Sequence, residues 1–361
     1  MPNLRNYIVW RCVLALFFAV VASCQSQPNE TPPKPLRKYS NKAYYYWQSV
    51  FRLDAELQQH LQQLNVKYLY IKFFDVDWDV ATQQAIPVAP IVFADSIPES
   101  MQIQIIPTVF ITNQTLEQLP DTAVGTLARN ISSKLNGILT QKKLQAHQIQ
   151  IDCDWTASTR QRYFTLLDSL HQQPDNQARQ LSVTIRLHQI KYAAETGVPP
   201  ANRGMLMVYN LDDVTNPKTA NAILSLATLQ RYVGNLPKYT LPLDVAMPLF
   251  SWGVVYRRGG FEQIINELHT NELQRNTRDF YKLAPNKYKV MNNCYVRGVY
   301  LYANDEIRID ELSTQTIEKA ATIINQKLKT DSITVSLFHL DTAILRYYSA
   351  TQCQGIYDAL Q

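Results

Sequence analysis

Eight short β-rich runs, separated by helix-forming or loop stretches, constrain this chain more than any other feature. They are Tyr44–Ser49, Lys67–Phe74, Ile105–Thr112, Gln148–Asp154, Ser182–His188, Met205–Asn210, Leu243–Leu249 and Ile333–His339. Apolar residues recur at helical spacing in Asp54–Leu64, Ala123–Leu139, Thr159–Gln172, Ala220–Val233, Phe261–Leu268 and Thr314–Leu328. Ser158-Thr159 and Ser313 stand where helix N-caps belong. Strands that alternate with helices pair in parallel, and eight such units predict an α/β fold, a single (β/α)8 barrel of the TIM type. An open doubly wound sheet is the runner-up. It lacks its usual sign, because the chain has ten glycines and neither GxGxxG nor a P-loop. The longest insertion, about Asn271 to Asp310, falls between strands seven and eight, and YVRGVYLYANDEIRI within it predicts a small hairpin.

Strand alternation tells which side chains share a face. In the fourth run Ile149, Ile151 and Cys153 would meet the helices, leaving Gln148, Gln150, Asp152 and Asp154 for the barrel axis. The fifth run sends Thr184, Arg186 and His188 inward, the second Lys72 and the seventh Asp244. Barrel interiors are usually filled by Val, Ile and Leu. Charges there need partners or water. A salt-bridge network filling the barrel is the plain reading. The sharper one is a wet site at the C-terminal ends of the strands, with Asp152, Asp154 and His188 as candidate acid–base groups. Lys72, Asp75, Asp77, Trp78, Arg186, Tyr209, Asp244 and Trp252 are then candidate ligand contacts. Asp75, Asp77 and Asp79 alternate as in a calcium loop, but Val80 holds the position that needs glycine. Carboxylates that cap turns or meet basic partners are the expectation, with no metal and no cofactor.

The N-terminus carries a separate message. Met1–Cys12 has Arg5 and Arg11 and no acidic residue, and Val13–Ala22 is ten apolar residues long. Crossing a ~30 Å hydrocarbon core takes ~20, so the run fits a signal peptide instead. Val21-Ala22-Ser23-Cys24 resembles the bacterial lipobox. That implies cleavage after residue 23, acyl chains such as palmitate on Cys24, and membrane anchoring through them. Gln25 in place of Asp favours the outer membrane, on its periplasmic or surface face, over the inner. Four prolines in Gln25–Lys38 make residues 24–40 a tether. The barrel domain is then 41–361.

Composition narrows the rest. Hydrophobic content of 46% and charge of 18% describe a globular domain, and the formal +5 is spread without basic runs, which argues against nucleic acid. Beyond Cys24 the mature chain has Cys153, Cys294 and Cys353, an odd number; Cys294 with Cys353 is the one disulfide considered, and Cys153 reads as a small buried hydrophobe. The sequence leaves the oligomeric state open.

At the fourth strand the residues begin to resemble the chitinase-like barrels of glycoside hydrolase family 18, whose motif is DxxDxDxE. Asp152 and Asp154 match its middle two acids; Ile149 stands at the first position and Thr156 at the final Glu. Met207-Val208-Tyr209-Asn210 is similar to the family's MxYD. The resemblance implies a general acid at the Glu position and a substrate-orienting role for the Asp before it, and Thr156 cannot be that acid. The segments 51–54, 70–79, 87–93, 149–159, 243–254 and 304–310 also resemble a family of bacterial lipoproteins with a domain of unknown function. Three readings follow: a glycoside hydrolase using a different acid, a non-catalytic glycan-binding or envelope-assembly lipoprotein, and a purely structural module.

Overall fold

A computed structural model describes residues 39–361. The expected signal peptide, the expected acylation site Cys24 and most of the expected tether lie outside the described residues.

Eight parallel strands close into a barrel: β1 (Tyr39–Tyr46), β2 (Tyr68–Asp79), β3 (Gln104–Ile111), β4 (Gln148–Asp152), β5 (Gln180–Arg186), β6 (Arg203–Met207), β7 (Leu243–Pro248) and β8 (Ser332–Phe338). Closure comes from β1, which pairs with β8 along 39–44 and with β2 along 43–46. Each strand was legible in the sequence to within five residues at either end. Helices Ala55–Gln63, Val124–Lys142, Arg160–His171 and Thr314–Lys327 lie between strands, and Asp54 and Ser313 cap the first and last through their side chains. Thr159 differs from expectation. It occupies an N-cap position, but its hydroxyl accepts from Thr156 N and donates to Asn113. The expected helix over 220–233 is shorter, Leu226–Tyr232, because Asn221 accepts from the amides of residues 223 and 224 and holds a turn there.

The strand faces divide as the alternation implies. Ile149, Ile151 and Cys153 are buried toward the helices. Inside the barrel, Tyr45 Oη donates to Gln150 Oε1 at 2.6 Å and Gln150 Nε2 to Ser182 Oγ at 3.2 Å. Tyr70 packs on Tyr45 at 5.0 Å between ring centroids. Polar groups are tolerated here because they bond one another.

At the N-terminal end of the strands, Asp244 is 2% exposed and accepts from Arg203 Nε at 2.9 Å and Nη2 at 2.6 Å, and from Thr334 N at 2.6 Å. This corrects the expectation that Asp244 contacts ligand. It points inward, but as the second residue of its strand it closes the floor of the barrel.

The insertion between β7 and β8 is larger than expected, spanning 252–310. Its antiparallel sheet has the strand order Gly260–Asn266, Trp252–Arg257, Glu306–Asp310, Lys287–Val290, Phe280–Ala284. It has a core of its own, including Val255, Ile265, Phe280, Val290 and Ile307. The helix expected over Phe261–Leu268 is therefore a strand. Residues 261, 264, 265 and 268 carry helical spacing, but a register shift opposite Val255/Tyr256 supplies the extra residue that mimics it. A Cβ at Gly253 would meet Leu268 Cδ2 at 2.6 Å, so a larger residue there would have to push that buried side chain aside. The hairpin read from YVRGVYLY is present as Cys294–Val296 with Val299–Leu301. Cys153, Cys294 and Cys353 are all free thiols, so the Cys294–Cys353 pairing does not form.

Removing one partner of a buried ion pair strands the other charge, at about 3–5 kcal/mol. Arg203→Met should therefore lower the unfolding free energy by that amount in urea titrations, and Arg203→Met with Asp244→Leu should recover most of it.

Candidate functional site

A cleft of about 420 Å³ opens at the C-terminal ends of the strands. Its walls come from nearly the whole barrel: Trp47 after β1, Phe110 from β3, Asp152 and Asp154 at the end of β4, and Arg186 ending β5. Tyr209 and Asn210 follow β6, Phe250 and Ser251 follow β7, and Phe338 and His339 close the ring at β8. The insertion adds Trp252, Asn266 and Glu267.

Aromatic side chains form the floor. Phe338 lies 5.2 Å from Tyr209, 5.7 Å from Phe250 and 5.7 Å from Trp47, centroid to centroid, and Phe250 lies 5.3 Å from Trp252. These tilted and edge-on contacts are the favoured ones for aromatic rings, and they fix the floor's shape. Trp252 is held from behind, its Nε1 donating to Asp310 Oδ2 at 2.9 Å. Asp310 has no exposed surface and also accepts from Arg308 Nε and Nη2 and from Ala222 N.

Charge is concentrated on one wall. Arg186 grips Asp154 with both arms of its fork, Nε to Oδ1 at 2.6 Å and Nη2 to Oδ2 at 3.1 Å. Such bidentate pairs fix geometry as well as charge. Burial alone would pull the Arg186 pKa down, but the Asp154 carboxylate outweighs it and holds it above the ordinary value. Arg186 Nη1 is buried without a hydrogen-bond partner among the described residues. Asp152 lies deeper, 5% exposed, and accepts from Thr184 Oγ1 at 2.6 Å. Burial pushes its pKa up to about 6 against the pull of Arg186, and the Asp154 charge adds to the rise. Across the cleft the Glu267 carboxyl is also raised by burial, with Asp341 adding to it. Burial lowers the His339 pKa and favours the neutral imidazole.

Of the candidate site residues read from the sequence, the cleft gathers Asp152, Asp154, Arg186, Tyr209 and Trp252. It does not gather the others. His188 is exposed on the short helix Leu187–Lys191 that follows β5, because the strand ends two residues earlier than expected. Lys72 pairs with Asp75 at 2.9 Å beneath Trp47, its Nζ 5.7 Å from that ring. Asp77 accepts from Thr112 Oγ1, and Trp78 is buried in the extension of β2 that pairs with Gln84–Val88. Asp79 accepts from Ala81 N and Thr82 Oγ1, a turn cap in place of a cation ligand. Trp155 is buried and donates to Thr196 O.

Thr156, at the position of the family 18 acid, does not line the cleft. It is exposed, with Oγ1 2.8 Å from Ser158 Oγ and its amide bonded to Thr159. Sequence reasoning missed Asn266 and Glu267, which the helical misreading of 261–268 turned away from any site. Glu267 adopts a left-handed φ of 57° and donates its amide to Ser251 O at 2.8 Å. No alternation in 261–268 marks it, because the register shift gives this strand the spacing of a helix.

The eight parallel strands and the cleft at their C-terminal ends define a (β/α)8 barrel of the TIM type. Among solved structures it is similar to the spore cortex-lytic enzyme SleL of Bacillus cereus, at TM-score 0.51 and 11% identity over 89% of this chain and 74% of that one. It is likewise similar to the family 18 chitinase ChiB of Flavobacterium johnsoniae, at TM-score 0.50 and 12% identity over 89% and 94%. A third is the family 18 chitinase of Cycas revoluta in complex with allosamidin, at 0.50 and 10% over 88% and 98%. At these identities the likeness is one of fold. No family model and no curated protein sequence matches the chain.

An acid whose pKa rises on folding binds more protons in the folded than in the unfolded chain. Ionising Asp152 therefore costs stability as pH climbs from the ordinary 3.8 through about 6. The cost reaches ~3 kcal/mol at neutral pH and vanishes below both values. Asp152→Asn keeps an acceptor for Thr184 and carries no charge. Its unfolding free energy relative to the parent should rise by about that amount between pH 4 and pH 7 in parallel denaturant titrations.

Proposed function

We propose that this protein is an exported lipoprotein, acylated on Cys24 and held at the outer membrane, whose barrel cleft binds a glycan without cleaving it by the family 18 mechanism. One observation carries the functional part. Asp154, which the resemblance would make the substrate-orienting acid, is clamped by Arg186, and Thr156 stands where the proton donor belongs. A glycosidase must protonate the departing oxygen, and a threonine hydroxyl is far too weak an acid for that. What remains suits binding. Aromatic rings with polar neighbours stack on the apolar faces of sugars, while Asn210 and Asn266 offer neutral donors and acceptors in the cleft lining.

A hydrolytic reading is favoured by Asp152 alone, whose raised pKa would let it donate a proton near pH 6. The names of the structural relatives suggest chitin-like and spore-cortex-like oligosaccharides as first ligands, beside plant and host glycans. The full-length protein should bind one of these saturably by calorimetry and release no new reducing ends. Trp252→Ala should weaken binding at least tenfold, as expected for a stacking contact worth about 1.5 kcal/mol. Reducing ends that appear with the parent and vanish with Asp152→Asn would establish the hydrolytic reading instead. The anchor has its own test. Labelled palmitate should enter the parent protein in cells and be lost with Cys24→Ala, which should move the protein out of the membrane fraction.

A further inference from the structure

The insertion carries aromatic surface that the cleft does not use. Its hairpin closes through Arg297 and Gly298, both left-handed at φ 47° and 80°, the two-residue turn that suits the natural twist of paired strands. The cross-strand register sets Tyr295 opposite Tyr300, and Tyr302, two residues further on, shares the face of Tyr300. Tyr295 lies 4.9 Å from Tyr300, and Tyr300 4.9 Å from Tyr302. The three are 73%, 37% and 49% exposed, whereas the intervening Leu301 is fully buried. The hairpin thus spends its small aliphatic residue on the core and presents its rings to water. Contiguous exposed aromatic surface of this kind marks an interaction site.

Beside Tyr302 lies a cavity of about 350 Å³ lined by Arg257, Arg258, Tyr302, Ala303, Asn304 and Asp305. Asp305 is 1% exposed. Its two oxygens accept Arg257 Nε and Nη2, each at 2.9 Å, and Oδ2 also accepts Tyr302 N. Its charge is spent inward, where it holds the Arg257 guanidinium 4.4 Å from the Tyr302 ring centre. Glu262, also near, binds Arg257 Nη1 at 3.0 Å. Arg258 is exposed and makes no ion pair among the described residues. The cavity therefore offers one uncommitted guanidinium next to a row of fixed rings. Arg257 and Trp252 end the same strand, so this surface sits about 17 Å from the cleft along it.

We propose that the tyrosine row and Arg258 form a second saccharide-binding surface, for an acidic, uronate-bearing polysaccharide. The rings stack on sugar faces and Arg258 pairs with a carboxylate, whose planar geometry matches its fork. The surface does not depend on what occupies the cleft.

Oligogalacturonate and its methyl ester, titrated by calorimetry into the full-length protein, separate the contributions. The acid should bind, and the ester should bind about tenfold more weakly. Arg258→Ala and Tyr295→Ala, both at exposed positions, should each weaken the acid about tenfold, as for loss of one charged hydrogen bond or one stacked ring. Trp252→Ala should leave it unchanged. Equal binding of acid and ester, an unaltered Arg258→Ala, or loss with Trp252→Ala would overturn the proposal. So would vesicles containing anionic phospholipid that bind through Arg258 and Tyr295 while oligogalacturonate does not, since the surface would then face a membrane.

Discussion

A carboxylate with no exposed surface, Asp310, joins the two parts of this molecule. It ends the strand Glu306–Asp310 of the insertion, yet it accepts from Ala222 N in the loop after β6, from Trp252 at the cleft, and twice from Arg308. Arg308, 1% exposed, reaches on to Asn216 O and Tyr256 Oη. A buried charge is tolerated only when its partners are complete, so barrel loop, insertion sheet and cleft tryptophan are held to one geometry. The insertion gives the cleft Trp252, Asn266 and Glu267, and this network fixes Trp252 among them.

The opposite wall follows the same rule with a different result. Arg186 and Asp154 pair at the lip through two of the guanidinium nitrogens, while Asp152 behind them accepts from Thr184 and has a raised pKa. An acid needed for chemistry must be free to reach a substrate and poised near the working pH. Asp154 is not free to reach a substrate while it is gripped, and Asp152 has the raised pKa but sits deep. This wall is the geometry on which the proposed binding role rests; fold by itself does not assign chemistry.

Most of the barrel was legible because a period of two is hard to disguise. Gln150, Asp152, Thr184 and Arg186 could face only the axis if Ile149, Ile151, Val183 and Ile185 faced the helices. What alternation cannot give is depth along the axis. Asp244 and Asp152 share the inward direction, yet one closes the floor with Arg203 and the other lines the cleft. Nor does it mark where a strand stops, so His188 turned out on a helix. Glu267 was hidden by a register shift that gave a strand the spacing of a helix, and Asp310 by partners far away in sequence.

A crystal structure of the protein with a bound oligosaccharide bears most directly on whether the cleft recognises or cleaves. A sugar ring stacked on Trp252, with its glycosidic bonds intact and Arg186 still bidentate on Asp154, is the expected result. An Asp154 carboxylate released from Arg186 and turned to the sugar, with cleaved product in the cleft, would contradict it.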